Sequence, residues 1–190
     1  MGKSDPRVVR TKQLILDAFT DLIQEKDFKN ITVRDITEKA TINRATFYMH
    51  FTDKYDLLDS TLLEGFRENL KKRLYCHELL NKRSLGNLLL VMCQYHQELS
   101  EGCRRNYQSL GEHFQSKMIE ELQNVILHLL ENKHHGKEEY QSIATALSWG
   151  IYGAAYNWNK DGRKIPAEQL VEQLVPVLEN GLRDYYKETV

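Results

Sequence analysis

The stretch that decides the fold runs from Thr32 to Leu58 and reads TVRDITEKATINRATFYMHFTDKYDLL. Thr32 stands three residues before Asp35, a spacing that predicts a helix N-cap with an acidic residue in the first turn. Asn43 is a second predicted N-cap, in front of the short polar segment RATFYMHF. The stretch therefore predicts two short helices joined by a tight turn. Because a helix this short and polar is marginal alone, its exposed polar groups indicate a binding partner.

Longer helices are predicted on both sides of this stretch. The preceding helix has apolar residues at helical spacing, namely Ile15, Ala18, Phe19, Leu22 and Ile23. The following helix repeats an apolar residue every four positions, namely Leu58, Leu62, Phe66, Leu70 and Leu74. A medium helix, a short helix, a turn, a second short helix and a long helix form the helix-turn-helix pattern. In that pattern the second short helix enters the major groove of DNA.

The composition is that of an ordinary water-soluble protein. The chain has 190 residues, of which 41% are hydrophobic and 28% charged, and only 3 are proline. Helical spacing persists along the chain and no segment alternates with period two, so we predict an all-α protein. The three cysteines form no CxxC pair, which favours a reducing compartment. The N-terminal residues lack an apolar core and no stretch is long enough for a membrane span, so a cytoplasmic protein is expected.

Charge alone does not predict a nucleic-acid partner. The formal net charge is −1, so the chain has no overall basic excess. Only the N-terminal arm is locally basic, since Lys3, Arg7, Arg10 and Lys12 face a single acidic residue, Asp5. The prediction of DNA binding therefore depends on the helix-turn-helix pattern.

Residues 10–58 resemble the DNA-binding domain of the tetracycline-repressor (TetR) family of transcriptional regulators. The positions that match the family pattern are Thr32, Ile36, Ala40, Ile42, Thr46, Phe47, Tyr48, Phe51, Lys54 and Leu57. Thr41 departs from the pattern, because the family usually has glycine at this position of the turn. A left-handed backbone there would be costly for a β-branched residue. Asn43 also departs, standing where the family often has serine, and it can cap equally well.

The resemblance implies a two-part, all-α architecture. Residues 8–54 are expected to form a three-helix helix-turn-helix domain that binds double-stranded DNA. A long helix is expected to join it to residues 55–190, a helical dimerisation and regulatory domain. The last two long helices, within 139–160 and 166–187, are expected to pair across a two-fold axis into a homodimer. The alternative is that these faces only fill the core of one subunit.

The same resemblance assigns roles to the polar residues of the first domain. Tyr48 and Lys54 are expected to contact phosphates, and Thr32 to form a phosphate seat at the start of its helix. Arg34 and Arg44 could read guanine edges, and Thr46 a thymine methyl group. The full predicted DNA-binding set is Thr32, Arg34, Asn43, Arg44, Thr46, Tyr48, His50 and Lys54. For Arg34 a surface ion pair with Asp35 or Glu38 is the alternative.

Family members usually hold an effector in the core of the second domain. The candidate pocket residues here are Tyr95, His96, Tyr107, His113, Phe114, Met118, Trp149 and Tyr152. Aromatic residues at helical spacing are also typical of a plain core, and that alternative stays open. Control by a partner protein, without any small molecule, is equally compatible with the sequence.

No enzyme, cofactor or metal site is predicted. His134 and His135 are adjacent instead of four residues apart, and neither a Gly-rich phosphate loop nor an HExxH motif is present. The prediction is therefore a homodimeric TetR-like regulator, more specifically a repressor of a palindromic operator controlled by a small-molecule effector. The alternative is a protein of the same shape that acts as a co-regulator through a partner protein.

Overall fold

A computed structural model describes residues 5–74, 79–102, 106–131 and 137–187. Within these ranges the backbone forms eight α-helices, one 3-10 turn and no strand, which confirms the all-α prediction. The helices are α1 (Pro6–Glu25), α2 (Val33–Lys39), α3 (Arg44–Tyr48), α4 (Lys54–Arg73), α5 (Lys82–Gly102), α6 (Tyr107–Glu131), α7 (Lys137–Lys160) and α8 (Ala167–Lys187). The 3-10 turn, Phe28–Asn30, lies between α1 and α2. No helix in the described part is long and apolar enough to cross a membrane.

The chain divides into two compact units. The first unit comprises the residues up to Glu64 together with Leu99–Gly111, and the second comprises Gly65–Glu98 and the residues from Glu112 onward. The first unit thus extends ten residues beyond the predicted end of the DNA-binding domain at Lys54. Because it includes Leu99–Gly111, the end of α5 and the start of α6 also belong to it.

The core of the first unit is built from apolar side chains of α1, α2, α3 and the start of α4. Ile15 and Phe19 of α1 are fully buried, as are Ile36 of α2 and Phe47 of α3. Leu57, at the start of α4, is also inaccessible to solvent. Burial of each such side chain contributes about 1.5–3 kcal/mol, which is how a five-residue helix is held in place by packing.

The turn between α2 and α3 ends α2 with a Schellman motif. The Thr41 N–H donates to the Glu38 carbonyl at 3.2 Å, and the Ile42 N–H donates to the Thr37 carbonyl at 3.0 Å. Thr41 adopts a φ of 56°, the left-handed conformation expected from its place in the family pattern. Since glycine is favoured at this position, the threonine side chain makes the turn locally strained.

The second unit is a bundle of long helices. Its fully buried residues include Leu88 and Met92 of α5, Ile126 of α6 and Ile151 of α7. After α7 the chain reverses in a turn that is closed by a bond from the Trp158 indole N–H to the Ile165 carbonyl at 2.8 Å. This bond fixes the connection through which α8 follows α7.

Candidate nucleic-acid interface

The short helix α3 is anchored at both ends. The Asn43 Oδ1 accepts the Thr46 N–H at 2.7 Å and the Thr46 hydroxyl at 3.0 Å, which confirms Asn43 as the N-cap. Phe47 is fully buried and its ring lies 5.9 Å from that of Phe51, which is 3% exposed. A side-chain cap and two buried rings therefore hold the backbone of α3, as predicted for these residues.

The opposite face of α3 is open to solvent. Arg44 is exposed, and Tyr48 and Met49 are 52% and 80% exposed. Thr46 and His50 are half-buried at the edges of this face. The Tyr48 ring packs edge-to-face on Phe47, with centroids 5.5 Å apart, so a core contact orients its phenol. The face carries a guanidinium, a phenol and an imidazole, the groups with which proteins bind phosphates and base edges.

The start of α2 is closed by a reciprocal capping box, as its sequence predicts. The Thr32 Oγ1 accepts the Asp35 N–H at 3.2 Å, and Asp35 Oδ2 accepts the Thr32 N–H at 2.8 Å and its hydroxyl at 2.7 Å. Hydrogen bonds from the Thr32 hydroxyl, from Lys26 and from the Thr32 N–H lower the pKa of Asp35 to about 2. The two donors of Thr32 and the first-turn amide of Asp35 are thus all used within the capping box.

Arg34 forms the surface ion pair that the sequence left as an alternative. Its Nε lies 2.7 Å from Glu38 Oε1, and the two side chains are 78% and 63% exposed. The hydrogen bond to Glu38 raises the pKa of Arg34 above its usual value. A pair this exposed is weak because water screens it, so Arg34 remains accessible to a phosphate or a base.

The ammonium of Lys54 already has partners within the protein. It donates to the carbonyls of Phe28 at 2.9 Å, Lys29 at 3.2 Å and Ile31 at 2.9 Å, and lies 4.6 Å from the centre of the Phe28 ring. Burial lowers the pKa of Lys54, and the Asp35 carboxylate opposes that shift. Since an ammonium has three N–H donors, this position differs from the predicted phosphate contact and gives Lys54 a structural task.

One polar residue of the first unit was not predicted from the sequence. Asn106, which precedes α6, is 1% exposed and hydrogen-bonds to backbone groups near the end of α1. An asparagine directly before a helix is typical of an N-cap, so the local sequence gives no signal of this distant contact.

The predicted effector residues do not form one group. Tyr95, His96 and Tyr152 are buried together in the second unit, where the His96 ring lies 5.5 Å from Tyr95 and 5.0 Å from Tyr152. Tyr152 also stacks on Tyr156, with centroids 6.2 Å apart. Burial lowers the pKa of His96 to about 4, so the imidazole is neutral at pH 7. We call Tyr95, His96, Tyr152 and Tyr156 the aromatic cluster.

The remaining members of that set lie elsewhere. Met118 is buried in α6, whereas Tyr107 belongs to the first unit. Trp149 is 52% exposed on α7 and is not part of the buried aromatic cluster. The side chains of His113 and Phe114 lie outside the described part of the structure. Two cavities of about 680 and 320 Å³ in the second unit are lined by other residues, along α5 and α8 and along α4 and α6 respectively.

An apolar surface follows the outer faces of α7 and α8. Trp149 is accompanied by Ala146 and Gly150, which are also exposed, and Val177 of α8 is 65% exposed. The Cβ that an alanine would add at Gly150 would lie 3.7 Å from Leu178. Exposed large apolar side chains beside small residues are typical of a surface that another helix covers. We call the surface formed by Ala146, Trp149, Gly150 and Val177 the α7–α8 face.

Models of known protein families match residues in both units. A model described as "Bacterial regulatory proteins, tetR family" matches residues 15–61, and one described as "Transcriptional regulator C-terminal region" matches residues 84–180. The HTH-type transcriptional regulator YxbF of Bacillus subtilis is 45% identical over 65 residues, which are 34% of this chain and 17% of YxbF. The dhaKLM operon transcriptional activator DhaS of Lactococcus lactis is 38% identical over 58 residues, 30% of this chain and 31% of DhaS. The matched stretch thus spans less than a third of either relative.

Solved structures are similar over nearly the whole chain. The structure of the dihydroxyacetone kinase operon activator DhaS has a TM-score of 0.62 at 20% identity, covering 92% of this chain and 97% of DhaS. A TetR transcriptional regulator from Streptococcus agalactiae has a TM-score of 0.63 at 21% identity, with 91% and 96% of the two chains covered. The fatty acid degradation regulator FadR of Bacillus halodurans has a TM-score of 0.60 at 20% identity, with 96% and 99% covered. At identities of 20–21%, this similarity shows that the folds are alike.

Proposed function

The chain belongs to the TetR family of bacterial transcriptional regulators, and on this premise we propose that it is a homodimeric repressor of a palindromic operator. Regulators of this family bind DNA. The proposal depends on the exposed face of α3. This face carries Arg44, Tyr48 and His50, and the helix is held in place by Phe47 on its buried side. In the bound state this face lies in the major groove.

Each predicted contact except Lys54, whose ammonium is bound to backbone carbonyls, has a role in this proposal. Arg44 reads a guanine edge, because its side chain is exposed at the first residue of α3. Tyr48 contacts a phosphate with its phenol, and the start of α2 at Thr32 binds a second phosphate. On binding, the Arg34 side chain exchanges its ion pair with Glu38 for a contact with DNA. Thr46 and His50 contact base or phosphate at the edge of the face, and Asn43 fixes the backbone of α3.

The DNA-binding part of the proposal is tested by selection of DNA with the purified protein. Genomic fragments bound at physiological salt are recovered and sequenced, and an inverted repeat is expected. Because two reading helices meet successive major-groove faces, the half-sites should be centred roughly 34–36 Å apart or a small multiple of that distance. Recovery of fragments without a shared sequence would contradict sequence-specific recognition, and the alternative of a co-regulator that acts through a partner protein would gain support.

The dimeric part of the proposal places the two-fold axis at the α7–α8 face. The exposed Trp149 and the small residues next to it suit close packing against the same helices of a second copy. Trp149→Glu should therefore give a monomer in analytical ultracentrifugation and weaken binding to the full palindrome. Gln141→Glu adds the same charge at an exposed position of α7 outside this face, so it is the matched control and should leave the dimer intact. A dimeric Trp149→Glu variant would place the interface elsewhere.

We place effector control at the aromatic cluster. Since His96 is neutral at pH 7 and its neighbours are tyrosines, the cluster favours an uncharged, ring-containing ligand. Such a ligand should raise the melting temperature of the wild-type protein and lower its affinity for the recovered DNA. The same compound should have neither effect on a His96→Leu variant. Expression of a reporter gene placed downstream of the recovered palindrome shows whether the protein represses or activates transcription. Repression is expected.

A further inference from the structure

The exposed residues of α3 lie in two rows. Residues four apart on an α-helix lie one above the other on the same face. Arg44 and Tyr48 form one such row, and both are exposed. Ala45 and Met49 form the second row beside it, and they are exposed as well. The Met49 N–H donates to the Ala45 carbonyl at 3.1 Å, so helical geometry reaches Met49, and a polar row lies next to an apolar one.

The apolar row ends in an unusually exposed side chain. At 80%, Met49 is the most exposed large apolar residue in the described part of the chain. A long side chain on a helix points back toward the N-terminus, and the residue one turn back is Ala45, whose short side chain leaves that space open. A methionine is unbranched and rotates about three bonds, so it adapts to the surface that it meets. Because a thioether donates no hydrogen bond and accepts only weakly, Met49 can offer a partner mainly apolar contact.

The partner of this row is the partner of the whole face. Regulators of the TetR family bind DNA, and the second short helix of a helix-turn-helix enters the major groove. Met49 lies on the same side of α3 as Arg44 and Tyr48, so it meets the same groove. The base edges exposed there are donors and acceptors with one apolar group among them, the C5 methyl group of thymine. An apolar side chain therefore distinguishes thymine from the other bases.

We propose that Met49 is a specificity-determining residue, which contacts a thymine methyl group in each half-site of the operator. The inference rests on the operator binding proposed above and adds to it a residue outside the predicted DNA-binding set. The sequence analysis assigned a thymine methyl group to Thr46. Thr46 is only half-buried, but its hydroxyl is bound to the Asn43 Oδ1 and it lies beside the exposed face, whereas Met49 lies on that face.

The test removes the methyl group from the DNA and the methionine from the protein, separately and together. In the duplex recovered by selection, deoxyuridine replaces each thymidine of the half-site in turn, at the same position in both half-sites. This change deletes only the C5 methyl group. At one position, wild-type affinity should fall about fourfold per half-site, or about sixteenfold for the pair, since one methyl group is no longer buried. Fluorescence anisotropy titration measures both duplexes.

The same pair of duplexes is then titrated with variants of Met49. Met49→Ala should bind the two with affinities that differ by less than about twofold, because the methyl group has lost its partner. Met49→Leu keeps an apolar side chain of similar volume and should retain the wild-type ratio. Met49→Gln is of similar length but polar, and it should lose the ratio. Since Met49 is 80% exposed, the circular dichroism of all three variants should match wild type.

The matched control is Thr46→Ser, which removes a methyl group from the protein but keeps the hydroxyl that bonds to Asn43. It should retain the wild-type ratio between the two duplexes. A full deoxyuridine effect in Met49→Ala, or no effect at any thymidine in wild type, would overturn the role of Met49. Loss of the ratio in Thr46→Ser alone would assign the methyl group to Thr46 instead. If wild type recovers no common sequence, the proposed function fails, and this inference fails with it.

Discussion

The two units of the molecule place their polar aromatic residues in opposite ways. On α3 of the first unit, Tyr48 projects outward from a helix whose buried side consists of Phe47 and the cap at Asn43. In the second unit, Tyr95 and His96 are buried inside the helical bundle. The first arrangement presents hydrogen-bonding groups to solvent, and the second uses them for contacts within the protein. An exposed surface and a buried core thus place different requirements on the same residue types.

Removal of Phe47 should have the largest effect, because the exposed face of α3 depends on it. Phe47→Ala should destabilise the protein by about 3–5 kcal/mol, the usual cost of a cavity left by a buried phenylalanine. Met49→Ala, at the 80% exposed neighbouring site, should leave stability nearly unchanged. Urea denaturation of both variants measures the difference. Similar stabilities for the two would show that α3 is not held by its buried side.

The second unit should respond to acid through His96. Its pKa is about 4 when folded and about 6.5 when unfolded, so the unfolded state binds the proton more readily between these values. Stability should therefore fall as the pH drops from 6.5 to 4, by at most about 3 kcal/mol. His96→Phe should lack this loss, which urea denaturation at several pH values would detect. If both proteins lose equal stability over this interval, His96 is not buried in a neutral form.

Truncation of Arg44 should change recognition without changing the fold. Arg44→Ala should lower the free energy of operator binding by about 1–3 kcal/mol and relax the preference at one base pair per half-site. Its melting temperature should match that of wild type, because Arg44 is exposed. Titration against duplexes that vary one base pair at a time measures the preference. Equal loss of affinity for specific and scrambled DNA would make Arg44 a phosphate contact.

The smallest predicted effect concerns the turn between α2 and α3. Thr41→Gly should stabilise the protein by about 1 kcal/mol, because glycine adopts the observed φ of 56° without steric cost. Thr41→Ala keeps the Cβ and should gain less than half as much. Thermal unfolding monitored by circular dichroism distinguishes the two. A destabilised glycine variant would show that the turn is not strained by its threonine.

The sequence predicted those features that depend on neighbouring residues. The caps at Thr32 and Asn43 each require a partner three residues along the chain, and both formed as expected. The left-handed turn at Thr41 was likewise expected from its place in the pattern. Helical periodicity identified the buried side of α1 for the same reason, since i and i+4 positions share a face.

Features that depend on distant parts of the chain were not predicted. Lys54 has a partner more than 20 residues away, and its three carbonyls can be identified only when the 3-10 turn is in place. Asn106 resembles an ordinary N-cap in sequence, although its bonds reach the end of α1. Trp149 shares its helix with buried Ser148 and Tyr152, and the packing of α7 decides which of these side chains faces outward.

Hydrogen–deuterium exchange of the wild-type protein, with and without the recovered duplex, tests the central claim most directly. If the face of α3 and the first turn of α2 bind DNA, exchange of peptides that cover residues 32–50 should slow when the duplex is added. Peptides that cover the aromatic cluster around His96 should change much less, and a scrambled duplex should protect residues 32–50 only weakly. Protection elsewhere in the chain, with unchanged exchange at residues 32–50, would contradict the account.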